Sequence, residues 1–144
     1  DCSSGEPDCE YQPIDQNEIE DYIESTLSKL KYPYELDLMP NKLKLEEDIS
    51  TAVLSMNKRL ERIKLVPDMS VFLKVLEKEI PIIEVSENLS KGSIKCTMDM
   101  RLLRRILDRS SHWNNAEIGC HIEFFRKPNH YSPDMHTALQ FFHM

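Results

Sequence analysis

The sequence lacks the features that most quickly assign a chain to a functional class. No apolar run approaches the roughly 20 residues that a helix needs to cross a bilayer, and no signal-peptide pattern is present. The patterns H-E-x-x-H, G-x-S-x-G and G-x-x-x-x-G-K-[ST], which mark several large enzyme classes, are missing too. We therefore predict no membrane span and find no common catalytic signature.

Cysteine is scarce, since the chain holds four, at positions 2, 9, 96 and 120. No two of them form a C-x-x-C pair, and the five histidines show no standard zinc spacing, so the sequence predicts no metal site of its own. This cysteine usage is typical of reduced thiols in a cytoplasmic protein, and we expect a cytoplasmic location.

The chain has fewer basic than acidic residues, 18 against 25, and its net charge is −7. Residues 1–90 carry a net charge of −10 and residues 91–144 a net charge of +3. Nucleic-acid binding requires a basic surface, so we expect no nucleic acid as a partner. The basic last third still allows a local site for an anion.

The chain has the size and composition of one globular domain. It contains 144 residues, of which 40% are hydrophobic and 30% charged. Residues 1–13 are rich in Ser, Gly, Pro and acids and are predicted to form a linker or a ragged end. Residues 14–144 are predicted to form a single α+β domain. Because the chain begins with Asp1 rather than Met, we expect it to begin after a processing site or at a cut in a larger chain, and we favour a cut.

Hydrophobic periodicity predicts the elements of this domain. Four strands are expected at 70–76, 80–85, 93–98 and 120–125, with a hairpin turn at 88–92. Helices are expected from Asp15 to Pro33, over 44–63, after a cap at Asp99, and from Ser132 onward. The predicted fold is therefore a small mixed or antiparallel sheet of about four strands, with four to five helices packed on it.

One segment, residues 111–122, is denser in unusual residues than the rest and contains the only Trp. Small polar residues beside Trp and Gly often form a tight, hydrogen-bonded turn. On this interpretation Trp113 is buried, Asn114 and Asn115 satisfy backbone groups of the turn, and Gly119 adopts a backbone conformation closed to other residues. The functional alternative places the same side chains at the mouth of a cleft. These motif residues are His112, Trp113, Asn114, Asn115, Glu117, Gly119 and Arg126.

The string HWNNAEIG at 112–119, followed by R-x-P at 126–128, resembles the C-terminal end of a group of proteins that begin with a metallo-β-lactamase-fold hydrolase domain. The order of predicted elements is also similar to that of sterol-carrier-protein-like domains, which some of these hydrolases carry after the catalytic domain. Metallo-β-lactamase folds hold their metals through an H-x-H-x-D-H cluster, and this sequence has none. The resemblance thus implies that zinc or iron belongs to an N-terminal part of the parent, with no cofactor here.

The resemblance implies a non-catalytic C-terminal accessory module of a larger chain, which packs on the catalytic domain of the same parent chain or mediates homo-oligomerisation. The alternative is a sterol-carrier-like domain that binds a lipid or another hydrophobic ligand, and the seven methionines would suit an adaptable pocket. The third and weakest hypothesis is a small autonomous enzyme that uses His112 and Glu117 as an acid–base pair.

Three arginines form a further candidate site. Arg101, Arg105 and Arg109 recur at four-residue spacing and are expected on one helix face, where their guanidinium groups could bind a carboxylate or a phosphate. The competing interpretation is that they pair with acidic residues in the front half of the same chain.

Overall fold

The computed structural model describes residues 13–144, with the side chain of Ser28 left aside. Cys2, Cys9 and nearly all of the predicted linker lie outside the described residues. The chain divides into two compact units, residues 1–32 and 33–144. The predicted single domain over 14–144 spans both units and stays a prediction.

In the first unit, α1 runs over Gln16–Ser25, and the Asp15 side chain caps it by accepting from the backbone N–H of Asn17 at 2.9 Å. The predicted start is confirmed, but the predicted end before Pro33 is wrong. The helix stops at Ser25, and a short 3-10 turn follows over Leu27–Lys29. The apolar side chains of α1 and of this turn are mostly exposed. Little tertiary packing therefore stabilises a longer helix.

The second unit contains a four-stranded mixed sheet, so the predicted α+β class is confirmed. The strands follow one another in space in the order β2-β1-β3-β4, with β1 parallel to β3 and the other neighbours antiparallel. Their bounds are Ser70–Val75 for β1, Lys78–Ile83 for β2, Ser93–Thr97 for β3 and Glu123–Lys127 for β4.

The predicted hairpin turn at 88–92 is wrong, because β3 lies beside β1 rather than β2. The hairpin instead joins β1 to β2 at residues 76–77, where Leu76 has a φ of 57°. Residues 84–92 therefore connect two strands that are not neighbours. Local turn chemistry at Asn88 and Gly92 could not reveal which strand β3 would pair with, because parallel pairing is a long-range outcome.

One face of the sheet is buried under helices of the second unit, which are α2 over Lys42–Ile63, α3 over Met100–Leu107, α4 over Trp113–Ile118 and α5 over Pro133–Leu139. Inward side chains alternate along β1 and β3, as at Val71 and Leu73, and join the helices in a single core, to which β2 adds the consecutive residues Ile82 and Ile83. The predicted caps are confirmed, since Asp99 and Ser132 accept backbone N–H groups of α3 and α5.

Candidate functional site

The motif segment forms the short helix α4, with His112 exposed at its start, and the predicted turn is confined to residues 119–120. The expected backbone role of Gly119 is wrong. Gly119 has an ordinary φ of −75°, and the left-handed residue is Cys120, with a φ of 58°. Gly119 matters for space, because a Cβ there would lie 2.8 Å from the His121 ring.

Trp113 is buried with 2% exposure, which confirms the predicted burial. Its ring packs edgewise on Phe124 and Phe142, with centroids 6.4 and 5.9 Å away. The predicted role of Asn114 and Asn115 is wrong, since neither side chain hydrogen-bonds to any residue that the structure describes. The motif is thus held by aromatic packing rather than by amide side chains.

Glu117 is the motif residue with the most specific contact, and its partner is not the predicted one. Its Oε2 atom lies 2.8 Å from Nδ1 of His136 on α5, and both side chains are mostly buried. His112 makes no hydrogen bond or ion pair with Glu117. The Glu117 carboxylate instead pairs with His136, which links α4 to α5 and leaves the weakest hypothesis, an acid–base pair of His112 and Glu117, without support. Nothing in the local sequence could identify His136, because it lies 19 residues further along the chain.

Arg126 points from β4 into the same region. Its guanidinium carbon lies 4.8 Å from the centroid of the Phe124 ring and 5.8 Å from that of Tyr131. Glu117, Arg126, Tyr131 and His136 all line one small cavity. The structure thereby brings two of the predicted motif residues together with two that the sequence did not indicate.

The predicted arginine face is only partly formed. Arg105 binds Asp37 through two nitrogens, Nε at 2.5 Å and an Nη at 2.9 Å. Arg101 contacts the Asp99 carboxylate and the backbone oxygen of Glu35. Arg109 is exposed and lies beyond the end of α3, with a φ of 67°, so its expected place on the helix face is wrong. Arg105 thus pairs with the front half, in line with the competing interpretation, whereas the carboxylate that Arg101 binds, Asp99, lies in the last third.

A fourth arginine holds α3 to α2. Arg104 and Lys44 both bind the carboxylate of Asp48, whose side chain is buried. The hydrogen bond from Lys44, followed by that from Arg104, holds the pKa of Asp48 below its usual value. The sequence contains a signal that could have identified Asp48. This acidic residue occupies a position on the apolar stripe of α2, between Leu45 and Ile49.

A separate apolar groove of about 920 Å³ lies between the C-terminal half of α2 and the edge strand β2. This volume falls within the range of small-ligand pockets, roughly 300–1,000 Å³. No methionine lines it, so the expected methionine-rich pocket is not this groove. We call this surface the apolar groove; its lining residues include Val53, Leu60, Leu65, Val66, Pro81, Ile82, Val85 and Leu89.

Asp68 is one of the polar residues that line the apolar groove. Its side chain is 28% exposed, and its Oδ2 atom lies 3.0 Å from the Lys91 ammonium. Its Oδ1 atom is buried and has no hydrogen-bond partner among the described residues. Because this oxygen is buried, a molecule in the groove could donate a hydrogen bond to it only if the Asp68 side chain moved.

Within residues 13–144, no three His, Cys, Asp or Glu side chains lie close enough to hold a metal ion. In the same range, no helix combines the length and the apolar character needed to cross a membrane. Comparison of the chain with family models, curated proteins and solved structures gives no match.

Proposed function

We propose that this chain is a non-catalytic accessory module of a metallo-β-lactamase-fold hydrolase, and that it packs on the catalytic domain of the same parent chain through the apolar groove. In this proposal the zinc or iron centre belongs to the parent's N-terminal part. The HWNNAEIG string at 112–119 and the R-x-P at 126–128 support the choice of parent, and the apolar groove supports the mode of action.

The observation that carries the proposal is the exposure of large aliphatic side chains on the groove. Val66 is 82% exposed and Leu89 is 74% exposed, and both line it. Removing apolar surface from water contributes about 25 cal/mol per Å². A contiguous apolar surface of this kind is typical of a site that another surface covers.

The first test is to sequence the coding region upstream of Asp1. We expect an H-x-H-x-D-H cluster there, within a predicted metallo-β-lactamase fold. An upstream region without any such cluster would contradict the choice of parent.

The second test expresses the upstream domain separately and measures its binding to this chain by calorimetry. Val66→Asp together with Leu89→Asp places charges on the groove and should weaken binding at least tenfold, since a buried unpaired charge is costly. The matched control is Leu43→Asp, because Leu43 is 75% exposed but does not line the groove. Equal loss in both variants would show that the groove is not the contact surface. A dimer of this chain that Val66→Asp disrupts would instead assign the groove to homo-oligomerisation.

The second candidate function is the binding of a lipid or another hydrophobic ligand, and the size of the apolar groove favours it. A groove of about 920 Å³ with many aliphatic lining residues suits a ligand with an apolar body. Native mass spectrometry of the purified chain tests it. A retained lipid mass that Val66→Asp abolishes would favour this function, and a bare protein mass after incubation with lipids would reject it.

A further inference from the structure

Arg126 differs from the other half-buried arginines in what its guanidinium contacts. Arg101, Arg104 and Arg105 each bind a carboxylate, and Arg59 donates to the backbone oxygen of Phe141. The guanidinium of Arg126 makes no hydrogen bond or ion pair with any residue in the described part of the chain. Its nitrogens are thus left unused by the protein around it.

Two aromatic rings hold this guanidinium in place. Phe124 lies two residues earlier on the same face of β4, and Tyr131 comes from the loop that leads into α5. Contacts with ring faces attract the cation without using its N–H groups. A guanidinium fixed in this way keeps its donors free and preorganised, which lowers the entropy cost of binding a ligand.

Glu117, the acidic residue that lines the same cavity, forms no ion pair with Arg126. The Glu117 carboxylate is bound to His136 through Oε2 and Nδ1. The second ring nitrogen of His136, Nε2, takes no part in this bond. The Tyr131 hydroxyl and this nitrogen are further polar groups on the residues that line the cavity.

The size and charge of the cavity restrict the ligand. Its volume is about 10 Å³, close to the minimum for a single water molecule, so neither a carboxylate nor the body of a ligand fits inside it. Arg126 is partly exposed, so a ligand meets it from the solvent side, at the mouth of the cavity. The Glu117 carboxylate on the same wall disfavours a second negative charge, so a dianionic phosphate fits less well than a monoanion. A carboxylate offers two oxygens in the geometry that a guanidinium fork matches.

We infer that Arg126 is a recognition site for a carboxylate group, presented by a small organic acid or by an acidic side chain of a partner protein. The ligand's carboxylate accepts hydrogen bonds from the guanidinium at the mouth of the cavity, and the whole ligand lies outside the cavity. This site is separate from the apolar groove, and it does not depend on the proposed accessory function.

The test is an NMR titration of the 144-residue chain, with the side-chain Nε–H signal of Arg126 as the readout. Sodium acetate should shift this signal saturably, with a dissociation constant in the millimolar range, and sodium chloride at equal ionic strength should not. Arg126→Gln should abolish the saturable shift in the backbone amides around Tyr131 and His136. Arg126→Lys keeps the charge but loses the fork, and should weaken binding severalfold. Arg109→Gln is the control, because Arg109 is exposed and should leave the titration unchanged.

A linear shift, an equal response to chloride, or a saturable shift that survives Arg126→Gln would overturn the site. Tighter binding of phosphate than of acetate would overturn the carboxylate assignment. If Arg126→Gln does not fold, the acetate titration of the wild-type chain still tests the inference. Saturable shifts centred away from Arg126 would reject it. A blocked peptide with one glutamate distinguishes the two sources. Binding at least tenfold tighter than that of acetate assigns the site to a protein partner, and equal binding assigns it to small acids.

Discussion

Glu117 of α4 and His136 of α5 are joined by a 2.8 Å contact between Oε2 and Nδ1, and both side chains are mostly buried. The contact ties the motif segment to the C-terminal helix of the chain. It also occupies the one carboxylate on the cavity wall that could otherwise pair with Arg126. The arrangement of these two residues therefore decides which polar groups near the motif remain open to a ligand.

Trp113→Ala should lower the free energy of unfolding by about 3–5 kcal/mol, because it removes a fully buried ring that packs on Phe124 and Phe142. Urea denaturation measures this change in free energy. Circular dichroism is the probe, because the variant lacks the only Trp and cannot be followed by Trp fluorescence. Leu38→Ala is the control, because Leu38 is 92% exposed and its loss should change stability by less than about 0.5 kcal/mol. An unchanged midpoint for Trp113→Ala would show that the motif does not hold the fold.

Asp48→Asn should destabilise the chain by about 1.5–3 kcal/mol at neutral pH, because it weakens charged hydrogen bonds from Lys44 and Arg104 to a buried group. The pKa of Asp48 is lower in the folded chain than in the unfolded chain. Its contribution to stability is therefore present above the unfolded pKa of about 3.9 and is lost as pH falls further.

Thermal melts between pH 3 and pH 7 test this linkage. The wild type should lose stability below about pH 4, and Asp48→Asn should lose less over the same range. Parallel curves for the two proteins would contradict the assigned role of Asp48. Neighbouring acids such as Asp37 and Asp99 also have lowered pKa values, so part of the acid sensitivity should persist in the variant.

Arg105→Glu should lower the melting temperature, because it places a carboxylate opposite Asp37, which now accepts two hydrogen bonds from Arg105. Added salt should recover part of the loss, since it screens partly exposed charges. Asp37→Arg in the same chain should restore stability by re-forming the pair in reverse. Arg109→Glu serves as the control, and an equal effect there would indicate a change in net charge rather than a specific contact.

Gly92→Ala should destabilise the chain more than Gly119→Ala does. Gly92 has a φ of 149°, and an added Cβ would lie 2.4 Å from the backbone oxygen of Lys127, so both conformation and space oppose a side chain. The expected cost is about 1–3 kcal/mol. At Gly119 the obstacle is mainly the His121 ring, which can move. Chemical denaturation of the two variants compares them, and the reverse order would contradict this account.

Much of the fold could be predicted because the signals are local. The cap residues Asp99 and Ser132 begin helices through side-chain contacts with the next few backbone groups, and the strand over 93–98 shows simple alternation. Errors arose where the outcome depended on distant partners. The segment at 88–92 has good turn residues, yet it leads to a strand that pairs in parallel with β1.

The candidate site divides in the same way. The sequence singled out Trp113, Glu117 and Arg126, since unusual residue types cluster around them. It could not supply His136 or Tyr131, which reach the cavity only because α5 packs beside α4. It also misassigned Arg109, because a helix face was extended past the residue where the helix ends.

The sequence by itself determined the α+β class, the caps, the buried Trp113 and the uneven charge, because composition, periodicity and capping act over a few residues. Tertiary structure alone decided that β3 pairs with β1, that Glu117 binds His136, and that Arg126 keeps its nitrogens free while Arg104 and Arg105 do not. The physical reason is that pairing between distant segments depends on which surfaces the folded chain brings within hydrogen-bonding distance, and no local pattern encodes that distance.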